Sequence, residues 1–266
     1  MSIVVYRPDL EQLTNTLSSL LATLEGLGRL RPDLRAEMFF VDNGGAPVSL
    51  PGFDAWRARG FSCTEIGGHG NVGYGRGHNL AIERAASRYH LVLNPDIDLD
   101  ADALAAALAF LDAHPDVGLL SPRVDDENGH IQYLCRRYPA LLDLFVRGFL
   151  PASLRRFFAR RLARYEMRDR ITASEVLWDP PIMSGCFMLF RTDLLKRLHG
   201  FDPRYFLYFE DYDISLRARK LAHLAYVPSV RVIHHGGGAS RKGFAHIRMF
   251  VTSAFKFYGR FGWRCL

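Results

Sequence analysis

Acidic side chains directly follow an apolar run of the sequence at residues 94–98, which read Asn-Pro-Asp-Ile-Asp. The preceding residues 90–93 have the composition of a buried strand. Carboxylates at such a strand end suit Mg²⁺ or Mn²⁺, because these cations prefer oxygen ligands and leave positions open for substrate phosphates. Acids here can instead stabilise the positive end of a helix that starts near Ala101. We assign that structural role to Asp100 and predict metal binding by Asp96.

A second acidic group, Glu210 and Asp211, follows a cluster of four aromatic residues: Tyr205, Phe206, Tyr208 and Phe209. An apolar wall around a carboxyl group raises its pKa toward the range of a general base. The alternative is structural, because acids in the first turn of a helix and cations such as Arg217 in its last turn stabilise the helix through its dipole. The residues alone leave both interpretations open.

Six glycines lie between residues 67 and 77, accompanied by Asn71 and Asn79. Glycine lets a backbone approach a phosphate closely, but the spacing matches neither the P-loop nor the dinucleotide-binding fingerprint. The segment predicts either a ligand loop or a structural loop whose asparagines cap turns. His234, which stands in a histidine pair before three glycines, is typical of a metal ligand, a general acid or an exposed turn residue.

Strand-like apolar runs alternate with helical patterns through the first half of the chain. These runs cover residues 2–6, 36–41, 61–66 and 90–93, and a helix is predicted near 79–87 between the last two. Continuous apolar runs indicate an α/β fold with a mostly parallel central sheet and helices on both faces. Ligands of such sheets bind beyond the carboxyl ends of the strands, where Asp42, Gly67 and Asn94 stand.

From residue 135 the pattern changes. A basic amphipathic stretch reaches Arg168, a strand-turn-strand covers 178–191, two short strands broken at Pro228 lie within 222–233, and an amphipathic helix, assigned to core packing, covers 244–261. No linker or repeat separates these elements. We therefore predict a single domain over residues 1–266.

The composition indicates a globular protein of a reducing compartment. The chain has 266 residues, of which 48% are hydrophobic, and its four cysteines are widely spaced. These figures exclude disordered, fibrous and disulfide-stapled classes. Because Pro8 and acidic residues come too early for a signal peptide and no run approaches about 18 apolar residues, we expect a cytoplasmic protein.

The net charge of +6 is concentrated in one segment. Residues 135–170 contain ten arginines against three acids, interleaved with leucines and phenylalanines. This pattern indicates peripheral contact with an anionic membrane, or alternatively the solvated face of two ordinary helices. Nucleic-acid binding is disfavoured, since the chain lacks the aromatic and basic strand motif of an RNA-recognition module.

Seven segments, taken together and in order, resemble the family 2 inverting glycosyltransferases of the GT-A fold, especially the rhamnosyltransferase-like branch. They are IVVYRPDLEQL at 3–13, VDNGG at 41–45, GNVGYGRGHN at 70–79, LNPDIDL at 93–99, SGCFMLFRTDLL at 184–195, GFDPRYFLYFEDYDISLR at 200–217 and VIHHGGGAS at 232–240. The resemblance implies a nucleotide-sugar-binding half over 1–134 and an acceptor half over 135–266.

The resemblance also assigns residues to the donor. Asp42 would recognise the nucleotide base, and Asn71 with Gly73 would line the nucleotide pocket. Asn79, Gly185 and Cys186, from the matching segments, complete the expected substrate contacts. Two departures, Gly45 where serine is usual and Arg7 where asparagine is frequent, leave the choice between a dTDP-linked and a UDP-linked sugar open.

For the chemistry, the resemblance places Asn94 and Asp96 at the D-x-D motif, with Asp96 and His234 holding a divalent cation (Mg²⁺ or Mn²⁺). Asp211 matches the catalytic base, and Glu210 would support it or touch the acceptor. The asparagine at position 94 replaces the first carboxylate of the motif and implies looser metal retention.

These residues predict a metal-dependent inverting transferase that moves a sugar, such as L-rhamnose from its dTDP form, onto a lipid-linked or polysaccharide acceptor of the cell surface. The basic segment would then meet the lipid-diphosphate acceptor or the cytoplasmic face of the inner membrane. A glycoside hydrolase with two carboxylates is the rival within enzymes.

Overall fold

The computed structural model describes residues 1–44, 53–235 and 243–265. The strands are β1 (Ser2–Val5), β2 (Glu37–Asp42), β3 (Ser62–Ile66), β4 (Tyr89–Leu93), β5 (Ile97–Leu99), β6 (Val117–Asp125), β7 (Leu177–Trp178), β8 (Phe187–Arg191) and β9 (His223–His234). The helices are α1 (Leu10–Leu30), α2 (Phe53–Ala58), α3 (Tyr74–Ile82), α4 (Ala103–Ala113), α5 (Leu141–Phe149), α6 (Ala152–Arg155), α7 (Ala159–Tyr165), α8 (Thr192–Arg197), α9 (Glu210–Ala218) and α10 (Gly243–Phe261), with a 3-10 turn at Arg156–Phe158.

Within the described ranges, the strands form one sheet in the order β3-β2-β1-β4-β8-β6-β9-β5, and β7 pairs with β9. The pairs among β3, β2, β1 and β4 are parallel, as their apolar runs predict. Strand β8, however, runs antiparallel to both of its neighbours, β4 and β6. An antiparallel strand begins where its parallel neighbours end, so the start of β8 lies at the ligand-binding edge.

Helices cover both faces of the sheet. On one face, α1 and α4 bury a leucine-rich surface that includes Leu20 and Leu111 against the strands. On the other face lie α3, α8 and α9, with Ile82, Leu195 and Ile214 in the core. Because both faces are covered, the central strands carry apolar residues at consecutive positions.

A third apolar cluster, made largely of aromatic rings, attaches α10 to the start of α9. The Phe209 ring lies 5.1 Å from that of Phe250 and 5.2 Å from that of Phe257. One face of α10 is therefore core, as predicted, and it holds the turn that precedes Glu210.

Two predicted element boundaries need correction. Residues 222–233 belong to one continuous strand, β9, rather than to two strands broken at Pro228. The pairing of β9 with β6 shifts register after Pro122: Pro122 pairs with Val227, whereas the next residue of β6 pairs with Arg231. Pro228, which has no N–H to donate, therefore lies in the irregular stretch of β9. The predicted helix near 79–87 begins earlier, at Tyr74, and ends at Ile82.

A buried polar cluster holds α3 on the sheet. The hydroxyl of Ser2 in β1 lies 2.8 Å from Nδ1 of His78 in α3 and 2.8 Å from Nε2 of His90 in β4. Burial lowers the pKa of His78 to about 3 and lowers the pKa of His90 well below its ordinary value. Both imidazoles are therefore neutral in the folded protein at neutral pH.

Acid should consequently destabilise the fold before it protonates these rings. Unfolded histidines take up protons near pH 6.5 whereas folded His78 stays neutral down to about pH 3, so the unfolded state binds more protons between those values. The free energy of unfolding should fall with decreasing pH by up to ~1.4 kcal/mol per pH unit for each histidine. Urea denaturation at several pH values between 7 and 5.5 measures this slope. His78→Asn should flatten it, and the exposed control His199→Asn should not; equal slopes in both variants would contradict the assignment.

Candidate active site

The turn between β4 and β5 carries Asn94 and Asp96. The Asn94 amide donates to the carbonyl of Cys186 at 2.9 Å, which joins this turn to the start of β8. The Oδ1 atom of Asp96 is buried and has no hydrogen-bond partner among the described residues. Nε2 of His234, at the end of β9, lies 3.5 Å from that oxygen. The two residues predicted to bind metal thus face each other across a gap.

Burial raises the pKa of Asp96, but His234 and Asn94 outweigh this effect and hold the pKa below its ordinary value. Asp96 is therefore ionised at neutral pH, as a metal ligand must be.

Gln132 orients the His234 ring and was not predicted from the sequence. Its Nε2 donates to the His234 carbonyl at 2.9 Å, and its Oε1 lies 3.3 Å from Nδ1 of the ring. An amide oxygen accepts, so we assign a proton to Nδ1. That leaves Nε2 directed at Asp96, in the arrangement by which metal-binding histidines are usually held. No sequence signal marks Gln132, because the contact spans 102 residues.

Among the described residues, no group of three or more His, Cys, Asp or Glu converges on one metal position. Asp96 and His234 nevertheless fit a cation that takes its other ligands from water and substrate phosphates, which is the usual binding mode of Mg²⁺. The unpartnered Oδ1 of Asp96 is the atom that such a cation would satisfy.

The second carboxyl pair lies at the first turn of α9. Tyr208 and Phe209, just before it, both adopt left-handed backbone angles, with φ 71° and 67°. For residues other than glycine this costs on the order of 1 kcal/mol or more each, and such strain persists only where packing enforces it. The aromatic cluster around Phe209 supplies that packing. The turn thereby directs Glu210 and Asp211 into the adjoining cavity.

Asp211 is held by two backbone donors. The Gly185 amide donates to Oδ2 at 3.1 Å, and the Tyr212 amide donates to Oδ1 at 2.9 Å. Tyr74 in turn donates its hydroxyl proton to the Gly185 carbonyl at 2.6 Å. A Cβ atom on Gly185 would lie 3.3 Å from that of Asp211, so a glycine keeps this approach close.

The carboxyl groups of Glu210 and Asp211 differ in their affinity for a proton. Burial and the neighbouring Asp211 charge raise the pKa of Glu210 to about 8. Burial also raises the pKa of Asp211, but the hydrogen bonds from Gly185 and Tyr212 and the Arg136 charge oppose that rise. At neutral pH Glu210 therefore holds a proton, and the hydrogen bonds to Asp211 favour the ionised form of that residue. A base flanked by a neutral acid is suited to accept a proton.

The hydroxyl of Tyr74 is near both Asp96 and the Glu210–Asp211 pair, the carboxyl groups that were predicted to act together. Burial raises the pKa of its phenol, and the charges of Glu210, Asp211 and Asp96 raise it further. All three carboxyls are thus within electrostatic reach of one hydroxyl. Residues 184–186 connect the turn that carries Asp96 to Asp211, because Cys186 accepts from the Asn94 amide and Gly185 donates to Asp211.

A cavity of about 560 Å³ opens beside Glu210 and Asp211. Its walls come from α5, α10 and the segments around residues 136 and 184. They combine apolar side chains with three arginines: Phe149, Ile247, Phe250, Arg136, Arg147 and Arg155. Asp96 does not line this cavity. The predicted metal site and the cavity are instead joined by the turn at residues 184–186.

The predicted nucleotide contacts cluster beyond β1, β2 and β3. Asp42 is largely buried, and its Oδ1 accepts from the Gly44 amide at 2.6 Å. Asn71 accepts from the Gly73 amide at 3.0 Å. Gly73 has φ 92°, and a Cβ there would lie 2.3 Å from the Phe206 carbonyl oxygen. Only glycine therefore lets this loop pack against the backbone at Phe206.

The side chain of Asn79, also predicted as a substrate ligand, bonds to the turn at residues 200–201. Its Nδ2 donates to the Phe201 carbonyl and its Oδ1 accepts from the Phe201 amide, both at 2.8 Å. The side chain thus fixes the 200–201 turn. Gly75 and Gly77, counted in the loop from sequence, lie in α3 and allow close packing there. Gly45 and residues 236–240, the ends of two matching segments, lie outside the described residues.

Residues 67–256 match the sequence model of the glycosyltransferase like family 2. A curated relative from Mycobacterium tuberculosis (strain ATCC 25618 / H37Rv), N-acetylglucosaminyl-diphospho-decaprenol L-rhamnosyltransferase, is 32% identical over 180 residues, which cover 62% of this chain and 56% of the relative. Rhamnosyltransferase WbbL from Escherichia coli (strain K12) is 27% identical over 203 residues, which cover 72% of each chain. The chain thus spans just over half the length of the mycobacterial relative.

Solved structures with similar folds include GalNAc-T7 with UDP, GalNAc and Mn²⁺, at a TM-score of 0.62 and 16% identity over 88% of this chain and 43% of that one. The mannosyltransferase PcManGT from Pyrobaculum calidifontis, with GDP-Man and Mn²⁺, gives a TM-score of 0.59 and 16% identity over 96% and 63%. At such identities the likeness concerns the fold.

Proposed function

The chain belongs to glycosyltransferase family 2 and has the GT-A fold, and from that premise we propose that it is a metal-dependent, inverting glycosyltransferase acting on a nucleotide-diphosphate sugar. The observation that carries this proposal is the buried Asp211, which accepts hydrogen bonds from the Gly185 and Tyr212 amides beside Glu210 and is joined through residues 184–186 to the Asp96 turn. Sugar transfer from a nucleotide diphosphate needs a group that accepts the proton of the acceptor hydroxyl and, beside it, a binding site for a cation.

In this mechanism Asp96 and His234 would hold a divalent cation that also binds the donor diphosphate. When bound, the cation neutralises charge that accumulates on the leaving diphosphate. Asp211 accepts the proton of the acceptor hydroxyl, whose oxygen attacks the anomeric carbon from the face opposite the diphosphate. One such displacement inverts the anomeric configuration. Because Glu210 is protonated, it places no second negative charge beside the base.

Donor recognition is proposed for the first half of the chain, residues 1–134, and acceptor binding for residues 135–266. Asp42 contacts the base, Asn71 and Gly73 line the nucleotide pocket, and the backbone at Gly185 and Cys186 borders the sugar. Two curated relatives carry rhamnosyltransferase names. We therefore propose dTDP-L-rhamnose as the donor and, following the mycobacterial name, a lipid-linked acceptor for cell-surface polysaccharide synthesis.

A panel of nucleotide sugars tests the activity. The purified protein should be stabilised thermally by its donor in the presence of Mn²⁺, and it should release nucleoside diphosphate chiefly when an acceptor is added. A hydrolase would cleave glycosides without regard to the nucleotide. Failure of every nucleotide sugar to bind would refute the proposal.

Peripheral membrane contact at the cytoplasmic face is proposed on two exposed apolar surfaces beside the cavity. On α5, Phe145 and Phe149 are 54% and 47% exposed, with ring centroids 5.9 Å apart. A stripe on α10 exposes four more apolar side chains: Phe244, Ile247, Val251 and Phe255. The arginines of segment 135–170 suit anionic headgroups next to them. No helix in the described part of the chain has the length and apolar character needed to cross a bilayer.

Phe145→Ser combined with Phe244→Ser should reduce retention on vesicles of anionic lipid at low salt by about tenfold or more, because each aromatic ring loses its favourable burial in the interface. Cosedimentation measures the retention. Leu30→Ser, at an exposed apolar position on α1, is the matched control and should bind as the parent does. The surface is wrongly assigned if the double variant is retained as well as the control.

A further inference from the structure

The cavity beside the carboxyl pair contains three cations that the mechanism above does not use. Arg136, Arg147 and Arg155 line it together with Glu210 and Asp211. A cation that is removed from water costs free energy unless it is paired with an anion. The protein partners of each arginine therefore show whether it has charge left for an anionic ligand.

Arg136 is the least solvated of the three, with 4% of its surface exposed. Its backbone is fixed by paired hydrogen bonds with Ile182, at 2.9 and 3.2 Å. Among residues 1–44, 53–235 and 243–265, its guanidinium makes one hydrogen bond, from Nη1 to the Cys135 carbonyl at 3.3 Å. No carboxylate of the described residues lies within ion-pair distance, and the Arg136 guanidinium lies over the face of the Tyr165 ring, 5.8 Å from its centroid. A buried arginine with most of its donors unused is a built anion site.

Arg147 and Arg155 extend this positive surface toward the mouth of the cavity. Arg147 Nε lies 3.5 Å from Glu166 Oε1, but the other oxygen of that carboxylate already accepts from Arg168 at 2.6 Å. Arg155 is exposed and has no ion pair among the described residues. Both guanidiniums are therefore available to a ligand.

None of the three forms an ion pair with Glu210 or Asp211 within the described structure, although all five residues share one cavity. The Arg136 charge favours the ionised form of Asp211 at a distance, but no direct ion pair with these two described carboxyl groups uses up the donors of the three arginines. Guanidinium groups bind phosphate oxygens in a bidentate manner, and the adjacent Phe149, Ile247 and Phe250 are apolar. The cavity lining thus combines the carboxyl pair, three cations and apolar side chains.

We propose that Arg136, Arg147 and Arg155 bind the diphosphate of the acceptor, with the acceptor's hydroxyl at Asp211 and its apolar chain along α5 and α10. This inference rests on the proposed function, since it takes Asp211 as the base that faces the acceptor. The site is separate from the seat of the donor diphosphate at Asp96, which lies outside the cavity lining.

Direct binding tests the site without any transfer reaction. Calorimetry with inorganic pyrophosphate, in the presence of EDTA and in the Asp96→Ala background, removes the metal-dependent donor site from the measurement. Arg136→Gln or Arg147→Gln should weaken pyrophosphate binding by about 10–100-fold, as expected for lost charge-assisted hydrogen bonds. Arg197→Gln is the matched control, because Arg197 is an exposed residue of α8 that does not line the cavity. Unchanged pyrophosphate affinity in the folded Arg147→Gln protein overturns the proposal.

A pair of acceptors tests the role in transfer. One carries an alkyl diphosphate on the sugar, and the other is the matching uncharged alkyl glycoside. Arg147→Gln should lower kcat/KM for the diphosphate acceptor by about 10–100-fold and leave the uncharged acceptor within about twofold. Equal losses for both acceptors would mean that the arginines act on the base, and would overturn the proposal.

Vesicles of phosphatidylglycerol separate an acceptor site from a headgroup contact. If Arg147→Gln loses vesicle retention but keeps pyrophosphate affinity, the arginines bind the membrane surface and the proposal is wrong. If no nucleotide sugar supports transfer while the variants still lose pyrophosphate binding, the proposed activity fails and the anion site stands.

Discussion

Asp211→Asn is expected to lower kcat by about 10²–10⁴-fold, the range that removal of a general base produces. The amide preserves the shape of the carboxylate but cannot take up the proton of the acceptor hydroxyl. Donor affinity should change little, because Asp211 lies on the cavity side of residues 184–186 and Asp96 on the other. Steady-state kinetics together with calorimetry of donor binding separate the two effects. Full turnover in this variant would exclude Asp211 as the base.

Glu210→Gln is the matched comparison, since it alters the adjacent carboxyl group. With the pKa of Glu210 raised to about 8 by burial and by Asp211, the residue is a neutral acid at neutral pH, and glutamine imitates that form. We expect activity within about tenfold of the parent at neutral pH. Above about pH 8 the parent places a second negative charge beside Asp211, whereas the variant does not, so the two pH profiles should diverge there. A loss in Glu210→Gln as deep as that in Asp211→Asn would mean that Glu210 is the base.

Asp96→Ala is expected to weaken Mn²⁺-dependent binding of the nucleotide sugar by about 100-fold. Removal of residues that merely orient metal ligands costs 10–100-fold in metal affinity, and the loss of a ligand should cost at least as much. Metal-independent binding of the free nucleoside should persist, because Asp42 and the loop at Asn71 are untouched. Titration with and without Mn²⁺ measures both quantities.

Asp100→Ala serves as the control for that change. Asp100 is an exposed acid four residues further along, between β5 and α4. It should leave the Mn²⁺ dependence unaltered. If both variants bind the donor as the parent does with Mn²⁺, the cation is held elsewhere and the metal assignment is wrong.

The sequence by itself determined the family, the fold class and most of the elements. The apolar runs that end at Asp42 and Asn94 are strands, and their parallel pairing through β1 brings both ends to one edge, as the pattern predicts. Glu210 and Asp211 stand in the first turn of a helix behind an aromatic cluster, as the structural interpretation of that segment predicts. Such features are local, since hydrophobic periodicity records which face of an element is buried.

Only the tertiary structure decided which distant residues meet. The direction of β8 is not encoded in a five-residue apolar run, yet it places Gly185 beside Asp211 and Cys186 beside Asn94. The roles of Gln132, of Asn79 and of buried Arg136 depend on partners far along the chain. Hydrogen bonds and desolvation act on atoms in space rather than on neighbours in sequence, and side chains of the same type are therefore ligands, turn supports or solvated charges according to where the fold places them.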